Sequence, residues 1–264
     1  MNGMAEIIKI RKPRRKVAPQ DRHITVIHPS RNRPELCRQV AEKWLTSAKN
    51  PGRVLYVVSV DSDDPMLPAY GMALKKIEGV NVTVNPNASA VQAINATAAI
   101  LSESYADTDI IVVVSDDFDC PFHWDDALRT HLGKATDFVA KTDDGLQPWI
   151  ITLPILDLGY YRRFNYIYNP SYVHMFCDTE MTHVADLLDR KLTLPIKFPH
   201  NHYSTGKNKK DRVSEKNDNT WVQGETTYIS RMAENFGLTD PPGELRADAA
   251  HLQWIANKTK QWQA

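Results

Sequence analysis

The sequence predicts an α/β fold built on a doubly wound, mostly parallel sheet. Apolar, β-branched segments at 24–28, 54–60, 80–84 and 110–114 alternate with segments whose apolar residues recur at helical spacing. The runs at 54–60 and 110–114 are almost uninterrupted, which is typical of strands covered on both faces. This strand–helix alternation implies right-handed crossovers between parallel strands.

The helices of the first half have recognisable ends. Pro34 suits the first turn of a helix, and the apolar residues that follow it stop at Asn50-Pro51-Gly52. A second apolar stripe, at 88–101, predicts a helix between the third and fourth strands.

The second half of the sequence is less regular. It contains a polar stretch at 200–219 with several basic residues and almost no apolar anchor. A loop of this length in a compact domain is usually a lid or a disordered excursion, so we expect it to be mobile. The predicted elements of this half are strands at 138–141, 149–153 and 193–197 and helices at 179–190, 226–235 and 243–257.

The bulk composition excludes several classes of protein. With 264 residues the chain buries a sizeable core without disulfides. Lys plus Arg equals Asp plus Glu at 32 each, so the global charge does not identify a partner. The three cysteines form no CxxC pair, which argues against a zinc ribbon or a disulfide framework. No stretch approaches the ~20 apolar residues of a membrane span and no signal peptide is recognised, so we expect a cytoplasmic protein.

An acidic cluster follows the most apolar predicted strand. Asp116, Asp117 and Asp119 would repel one another unless a positive charge neutralises them. Mg²⁺ or Mn²⁺ does this well, because both prefer carboxylate oxygens and keep positions for phosphate. A turn that caps the next helix is the plainer explanation. Two other predicted strands also end on polar residues, at 29–31 and at Asp61, and ligands of such sheets bind where these ends converge.

At these residues the chain resembles the GT-A fold glycosyltransferases of the family 2 type. The run at 24–34 resembles their opening strand and loop, and Ser115-Asp116-Asp117 resembles their metal-binding acidic motif. The first Asp of the usual Asp-x-Asp form would fall on Val114, so the resemblance makes Asp116 the principal metal ligand, with Asp117 or Asp119 as the second. The donor-binding residues that it implies are Pro29, Ser30, Arg31, Asp61, Asn87, Gln92, Asn95, Ser115 and Asp116.

A second acidic cluster, Cys177-Asp178-Thr179-Glu180, opens a predicted helix. By itself it reads as helix capping, because acidic side chains favour the free amides and dipole of a helix N-terminus. Inverting members of the family carry a Glu-Asp pair before this helix, and the Asp is their catalytic base. The resemblance therefore implies that Asp178 is the base, with Glu180 in reserve, whereas Cys177 stands where the Glu would be.

The segment Pro199-His200-Asn201-His202 is the third candidate. Alternating positions on an extended segment put both histidines on one face, which suits a metal or a phosphate, although two exposed loop histidines explain it equally. The resemblance implies that His200 or His202 completes the metal shell. The basic side chain of Lys207 suits closure over the donor diphosphate, although a solvated basic loop explains it nearly as well. Trp149, at the start of an aromatic-rich segment, is our candidate for acceptor contact.

The resemblance thus predicts a metal-dependent transferase of a hexosyl or pentosyl group from a nucleotide sugar, with UDP-sugar as the expected donor. The acceptor is a hydroxymethylated DNA base, approached through the basic residues of 9–16, or a glycan. The corresponding units are a flexible basic arm at 1–20, a nucleotide-sugar-binding half at 21–120, an acceptor and catalytic half at 121–225, and C-terminal helices at 226–264.

Two other functions remain open at this point. A nucleotidyltransferase shares the sheet and the acidic residues, but it typically has a glycine-rich loop after the first strand, and the loop at 29–34 has no glycine. A non-catalytic module that binds carbohydrate or nucleic acid on the same fold would keep its ligand when Asp116 is neutralised.

Overall fold

The computed structural model describes residues 18–86, 89–102, 109–207, 209–246 and 249–263. The strands are β1 (Ile24–Ser30), β2 (Val54–Asp61), β3 (Val80–Asn85), β4 (Ile110–Val113), β5 (Val139–Asp143), β6 (Ile155–Asp157) and β7 (Lys191–Lys197). The α-helices are α1 (Pro34–Thr46), α2 (Leu67–Leu74), α3 (Ala90–Ser102), α4 (Trp124–Leu132), α5 (Leu158–Phe164), α6 (Cys177–Leu187), α7 (Arg212–Asp218), α8 (Trp221–Ala233) and α9 (Ala249–Gln263).

The strands form a single seven-stranded sheet in the order β3-β2-β1-β4-β6-β5-β7. β1 lies in its parallel half, where Ile24 is paired with Val54 of β2 on one side and with Ile110 of β4 on the other. The α/β fold class predicted from the alternating pattern is therefore confirmed. No helix within the described ranges is both long and apolar enough to cross a bilayer.

Each face of the sheet is covered by its own apolar core. On one face Trp44 of α1 and Trp124 of α4 are completely buried, with their ring centroids 4.9 Å apart. On the other face α3 and α6 supply Ile94 and Val184 to a second cluster. Burial on both sides explains why β1, β2 and β4 consist of nearly continuous apolar residues.

The predicted strand at 149–153 is wrong. Those residues have no regular structure, and the amide of Ile151 donates instead to Thr182 Oγ1 of α6 at 2.9 Å. The strand lies after Pro154, where β6 pairs antiparallel with β4 and with β5. Both 149–153 and β6 contain apolar β-branched residues, but only β6 pairs with β4 and so forms a strand.

The expectation of a loop throughout 200–219 is also wrong. A short 3₁₀ turn forms at Tyr203–Thr205, and α7 follows it. The side chain of Asp211 caps α7 by accepting a hydrogen bond from the Ser214 amide at 2.9 Å. The far end of α7 is held by the Tyr203 hydroxyl, which donates to both carboxylate oxygens of Asp218 at 2.9 and 2.7 Å. This segment therefore has local caps and anchors that its polar composition concealed.

The topology brings three chain segments to one edge of the sheet. β1, β2 and β4 run in the same direction, so the loops that follow Ser30, Asp61 and Val113 leave from the same side. This is the carboxyl edge at which ligands of open α/β sheets bind.

Candidate active site

The loops after β1 and β2 are joined by an ion-pair group. Arg31 Nη1 lies 2.7 Å from Asp61 Oδ2 and 2.5 Å from Asp63 Oδ1. Hydrogen bonding from Arg31 lowers the pKa of Asp63. The amide of Asn32 donates to Asp64 Oδ2 at 2.8 Å. The convergence of the first two strand ends that the sequence predicts is therefore observed.

Asp116 is buried beneath the site, with only 5% of its surface exposed. His28 Nε2 is hydrogen-bonded to Asp116 Oδ1 at 2.9 Å. Ser30 Oγ donates to Oδ1 at 3.1 Å and to Oδ2 at 3.0 Å. Arg33 Nη1 lies 3.6 Å from Oδ2. Both carboxylate oxygens are therefore occupied by side chains of β1 and of the loop after it.

These contacts do not support the expected role of Asp116 as principal metal ligand. A metal at either oxygen would have to displace a partner from a buried carboxylate, which leaves the partner unsatisfied. His28 is fully buried, and its Nδ1 lies 2.8 Å from Tyr56 Oη. Burial opposes protonation of His28, but Cys37 and the Asp116 carboxylate outweigh burial and raise its pKa to about 10. Asp116 thus holds the buried His28 ring and ties the β4 loop to β1.

Asp117 faces a different partner, the late histidine His200. An antiparallel bridge joins Phe118 to His200, and the amide of Asn201 donates to the Asp117 carbonyl at 2.7 Å. The Phe118 and His200 rings stack with their centroids 4.3 Å apart. This pairing places His200 Nε2 3.1 Å from Asp117 Oδ2, so the two residues meet across 83 positions of sequence.

The electrostatics of this pair depend on a third residue, Asp144. Burial opposes the charged form of His200, but Asp117 and Asp144 raise its pKa to about 9. Burial likewise opposes the charge of Asp117, but hydrogen bonds from His200 and Ser115 lower its pKa to about 2. His200 Nδ1 is buried 3.9 Å from Asp144 Oδ2, beyond hydrogen-bond distance. The His200 imidazole therefore lies between two carboxylates, whose charges favour its protonated form.

Another group of three candidate ligands lies within the described part of the chain. The ligand atoms of His28, Cys37 and Asp116 are all within 4.8 Å of one another. All three residues are buried, and the Asp116 and His28 atoms already have hydrogen-bond partners. A thiol also suits Mg²⁺ and Mn²⁺ poorly, since both prefer oxygen. The Asp117–His200 pair is the better match to those ions.

Asp178, the expected base, lies in the first turn of α6. Its Oδ1 accepts a hydrogen bond from the Thr179 amide at 2.8 Å and a long one from Thr179 Oγ1 at 3.4 Å. Burial raises the pKa of Asp178, and the Thr179 hydrogen bonds and the charge of His200 oppose that rise. Asp178 is thus a partly buried carboxylate with a raised pKa, which is compatible with the base role that the resemblance implies.

Glu180 has a structural role that leaves it unsuited to be the reserve base. It is 3% exposed, and its oxygens accept hydrogen bonds from Tyr172 Oη at 2.7 Å and from Arg231 Nε at 2.8 and 2.7 Å. The pair with Arg231 ties α6 to α8. Removing a proton from an acceptor would require Glu180 to leave these partners.

Asp119 and His202 differ in their position relative to the Asp117–His200 pair, because the His202 ring lies against the His200 ring, with their centroids 5.3 Å apart. Asp119 Oδ1 caps the amide of Cys120 at 2.8 Å and lies 3.9 Å from Lys43 Nζ, with 43% of the side chain exposed. His202 Nδ1 lies 2.8 Å from Ser204 Oγ, at the start of the 3₁₀ turn. The contacts of Asp119 are thus with Cys120 and Lys43, whereas His202 lies beside His200 and stays a candidate ligand.

The donor-binding candidates of α3 are not brought to this cluster by the contacts observed. Asn95 Nδ2 donates to the Tyr168 carbonyl at 2.7 Å, and its Oδ1 accepts from the amides of Ile167 and Tyr168 at 2.9 and 3.1 Å. Asn95 therefore clamps a loop rather than facing a ligand. Gln92 is exposed on α3, and Asn87 lies outside the described residues.

Trp149 is half-buried and packs against two histidine rings. Its indole stacks on His183 at a centroid distance of 5.2 Å, and His251 of α9 lies 4.3 Å away. The His183 and His251 centroids are only 5.3 Å apart, so the two rings do not lie on opposite faces of the indole, and the acceptor contact of Trp149 stays a prediction. Lys207 is exposed in the segment before α7.

Four residues at this site were not among the predicted candidates: His28, Arg33, Asp144 and His174. His28 and Ser30 share one face of β1 because strand side chains alternate, and this spacing was a usable signal. Asp144 directly follows β5 and belongs to no motif. His174 is influenced by the charges of Asp117, Asp218 and His202, while burial lowers its pKa. No local pattern revealed the fourth residue, Arg33, whose partners come from distant segments.

The comparisons with known proteins establish the fold. No protein-family model and no curated protein sequence matches the chain. A mannosyltransferase of Pyrobaculum calidifontis, solved with GDP-Man and Mn²⁺, is similar over 94% of this chain and 85% of its own, with 13% identity and a TM-score of 0.54. TarS of S. aureus, residues 1–349, solved with UDP-GlcNAc, is similar over 65% of this chain and 56% of its own, with 11% identity and a TM-score of 0.50. The expected GT-A fold is therefore confirmed.

Proposed function

We propose that the chain is a metal-dependent glycosyltransferase that uses a nucleotide sugar. The observation that carries this proposal is the meeting of Asp117 and His200 at the carboxyl edge of a GT-A sheet. A fold alone does not determine the reaction type, so the proposed activity depends on this pair of residues. The two similar structures contain GDP-Man with Mn²⁺ and UDP-GlcNAc, which makes a nucleotide sugar the natural donor class to test.

Asp117 and His200 are our assignment for the metal ligands. In an octahedral site with bonds of about 2.1 Å, neighbouring ligand atoms lie about 3 Å apart, and Asp117 Oδ2 and His200 Nε2 are 3.1 Å apart. The donor set, one carboxylate and one imidazole, suits Mn²⁺ and accommodates Mg²⁺. When bound, such an ion neutralises a diphosphate and makes it a better leaving group.

The first two loops supply the expected donor contacts. Arg31 and Asp61 stand side by side at the ends of β1 and β2, so they present a hydrogen-bond donor next to an acceptor. An imide edge such as that of uracil offers the complementary pattern. We retain UDP-sugar as the first donor to test, with GDP-sugar beside it.

Asp178 is the proposed base for a single displacement with inversion. A base must reach the acceptor hydroxyl and have a pKa near the working pH. Burial moves the pKa of Asp178 upward from its ordinary value, which improves this match. Asp178 would take the proton of the acceptor hydroxyl. The acceptor oxygen would then bond to the anomeric carbon of the sugar as the bond from that carbon to the nucleoside diphosphate breaks.

The acceptor is proposed to be a hydroxymethylated DNA base or a glycan. The basic residues of 9–16, on which the first option depends, lie outside the described residues. Lys209 and Arg212 are exposed on the segment that leads into α7. A gel shift of duplex DNA that weakens with salt and is lost on deletion of residues 1–20 would favour DNA.

The decisive experiment offers a panel of nucleotide sugars with Mn²⁺ to the wild type, Asp117→Asn and Asp119→Asn. We expect donor hydrolysis that releases a nucleoside diphosphate in the wild type and in the Asp119 control, and at least a hundredfold less in Asp117→Asn. Release of pyrophosphate instead would identify a nucleotidyltransferase. Metal-dependent binding without any hydrolysis would identify a non-catalytic module.

A further inference from the structure

Arg33, in the loop between β1 and α1, joins two distant parts of the chain. Its Nε and Nη2 donate to the two carboxylate oxygens of Asp211 at 2.7 and 2.6 Å, and Nη2 also donates to Ser214 Oγ at 3.1 Å. Asp211 and Ser214 lie at the start of α7. On the other side of the guanidinium, Nη1 is 3.6 Å from Asp116 Oδ2.

This guanidinium is the contact that fastens the start of α7 to the β1 loop. Both oxygens of Asp211 face both prongs of the Arg33 fork, the geometry that gives charge-assisted pairs their strength. Hydrogen bonding from Arg33 holds the pKa of Asp211 well below its ordinary value. The side chain of Arg33 is 23% exposed and that of Asp211 42%, so solvent can reach the pair.

A diphosphate at the proposed metal site would compete for the same guanidinium. Arg33 Nη1 lies 3.6 Å from Oδ2 of Asp116, the residue directly before Asp117, so the guanidinium lies at the edge of the proposed metal site. Phosphate oxygens accept the same two-pronged hydrogen bonds as a carboxylate. Asp116 cannot easily take the place of Asp211, because His28 and Ser30 already occupy its oxygens.

We propose that Arg33 binds the diphosphate of the nucleotide donor, and that Asp211 occupies this guanidinium until the donor arrives. The Arg33–Asp211 pair is thus a latch that holds α7 against the β1 loop, and donor binding opens it. The inference rests on the proposed function for the identity of the anion, whereas the latch itself is a property of the unliganded chain.

The latch is tested without ligand in Asp211→Asn, with Glu215→Gln as the matched control. Asn caps helices about as well as Asp, so the variant weakens the ion pair while keeping the cap on Ser214. The Glu215→Gln substitution also removes one negative charge at the start of α7, and the Glu215 side chain is exposed. We expect amide exchange in α7, followed by hydrogen–deuterium exchange, to rise about fivefold in Asp211→Asn and to stay unchanged in the control. Equal exchange in both variants overturns the latch.

The anion is tested by calorimetry with Mn²⁺ and UDP, GDP or inorganic pyrophosphate. Without its competitor Arg33 should bind the anion more tightly, by about fivefold in Asp211→Asn, whereas Arg33→Gln should weaken binding about tenfold. Arg38→Gln is the control, because Arg38 pairs on the α1 surface with Glu35 and Glu42. Weaker binding in Asp211→Asn would overturn the competition.

The two proposals fail in different ways. If the wild type binds UDP with Mn²⁺ but neither Asp211→Asn nor Arg33→Gln changes the affinity, the latch is wrong and the proposed function survives. If none of the three anions binds to the wild type or to Asp211→Asn, both the diphosphate role of Arg33 and the proposed donor are wrong.

Discussion

Replacing Asp116 and Asp117 one at a time tests whether the first is structural and the second binds the metal ion. Asp116→Asn removes the charge opposite His28, which is fully buried and whose pKa is raised to about 10. Removing one partner of a buried ion pair typically costs about 3–5 kcal/mol, because the other charge is left without compensation. The amide keeps some hydrogen bonds and His28 can lose its proton, so we expect about 3 kcal/mol.

Asp117→Asn should behave in the opposite way. The Asp117 side chain is 25% exposed, and its partner His200 is 16% exposed, so the pair is partly solvated and its loss should cost less than about 1 kcal/mol. Its loss should instead remove the stabilisation by Mn²⁺ with a nucleoside diphosphate. A ligand at a hundred times its dissociation constant adds about 2.7 kcal/mol to the free energy of unfolding.

The assay is urea unfolding of each variant with and without Mn²⁺ and UDP, with Asp119→Asn as the control. Asp116→Asn should be destabilised in both conditions and should keep a ligand increment, whereas Asp117→Asn should be stable but show no increment. The opposite pattern, in which Asp116→Asn alone loses the increment, would refute the reasoning and restore Asp116 as the metal ligand.

Two further predictions concern stability. Burial of His183, together with the charges of His251 and Lys191, lowers its pKa from 6.5 to about 3. As the pH falls below 6.5, only the unfolded chain takes up this proton, so the free energy of unfolding falls by about 1.4 kcal/mol per pH unit between pH 6.5 and about pH 3. In urea titrations His183→Gln should therefore lose less stability than the wild type between about pH 7 and about pH 4.5. Gly224→Ala on α8 should lower the melting temperature, because its Cβ would lie 2.4 Å from the Met175 carbonyl oxygen, whereas Gly71→Ala on α2 meets nothing within 4 Å and should not.

The parallel half of the fold was predictable because its signals are local. Strands buried on both faces must be apolar along their whole length, and β1, β2 and β4 are. Helix α2 was missed because it is only eight residues long and contains Pro68 and Gly71. β6 was misplaced because its position is decided by pairing with β4, an interaction between residues more than forty positions apart along the chain.

The position of the site was predictable from the sequence, but the roles of its individual residues were not. The end of β4 indicates where the acidic cluster lies, since side-chain charge after a buried strand is visible in the sequence. Which of Asp116 and Asp117 is available to a ligand depends on His28 and Arg33, whose side chains reach the first carboxylate and not the second. Those contacts belong to tertiary packing, and the sequence motif cannot reveal them.

The division of labour between the two aspartates also sets the charge of the proposed metal site. His28 and Arg33 offset the charge of Asp116, so Asp117 is the acidic group that meets the ion, beside the imidazole of His200. A divalent ion that takes the place of the Nε2 proton of His200 is then held by one carboxylate and one neutral imidazole, and it keeps about one positive charge to attract a diphosphate. If both aspartates bound the ion, that excess charge would vanish and the attraction for the donor with it. Burying the first carboxylate against β1 therefore favours donor binding at the second.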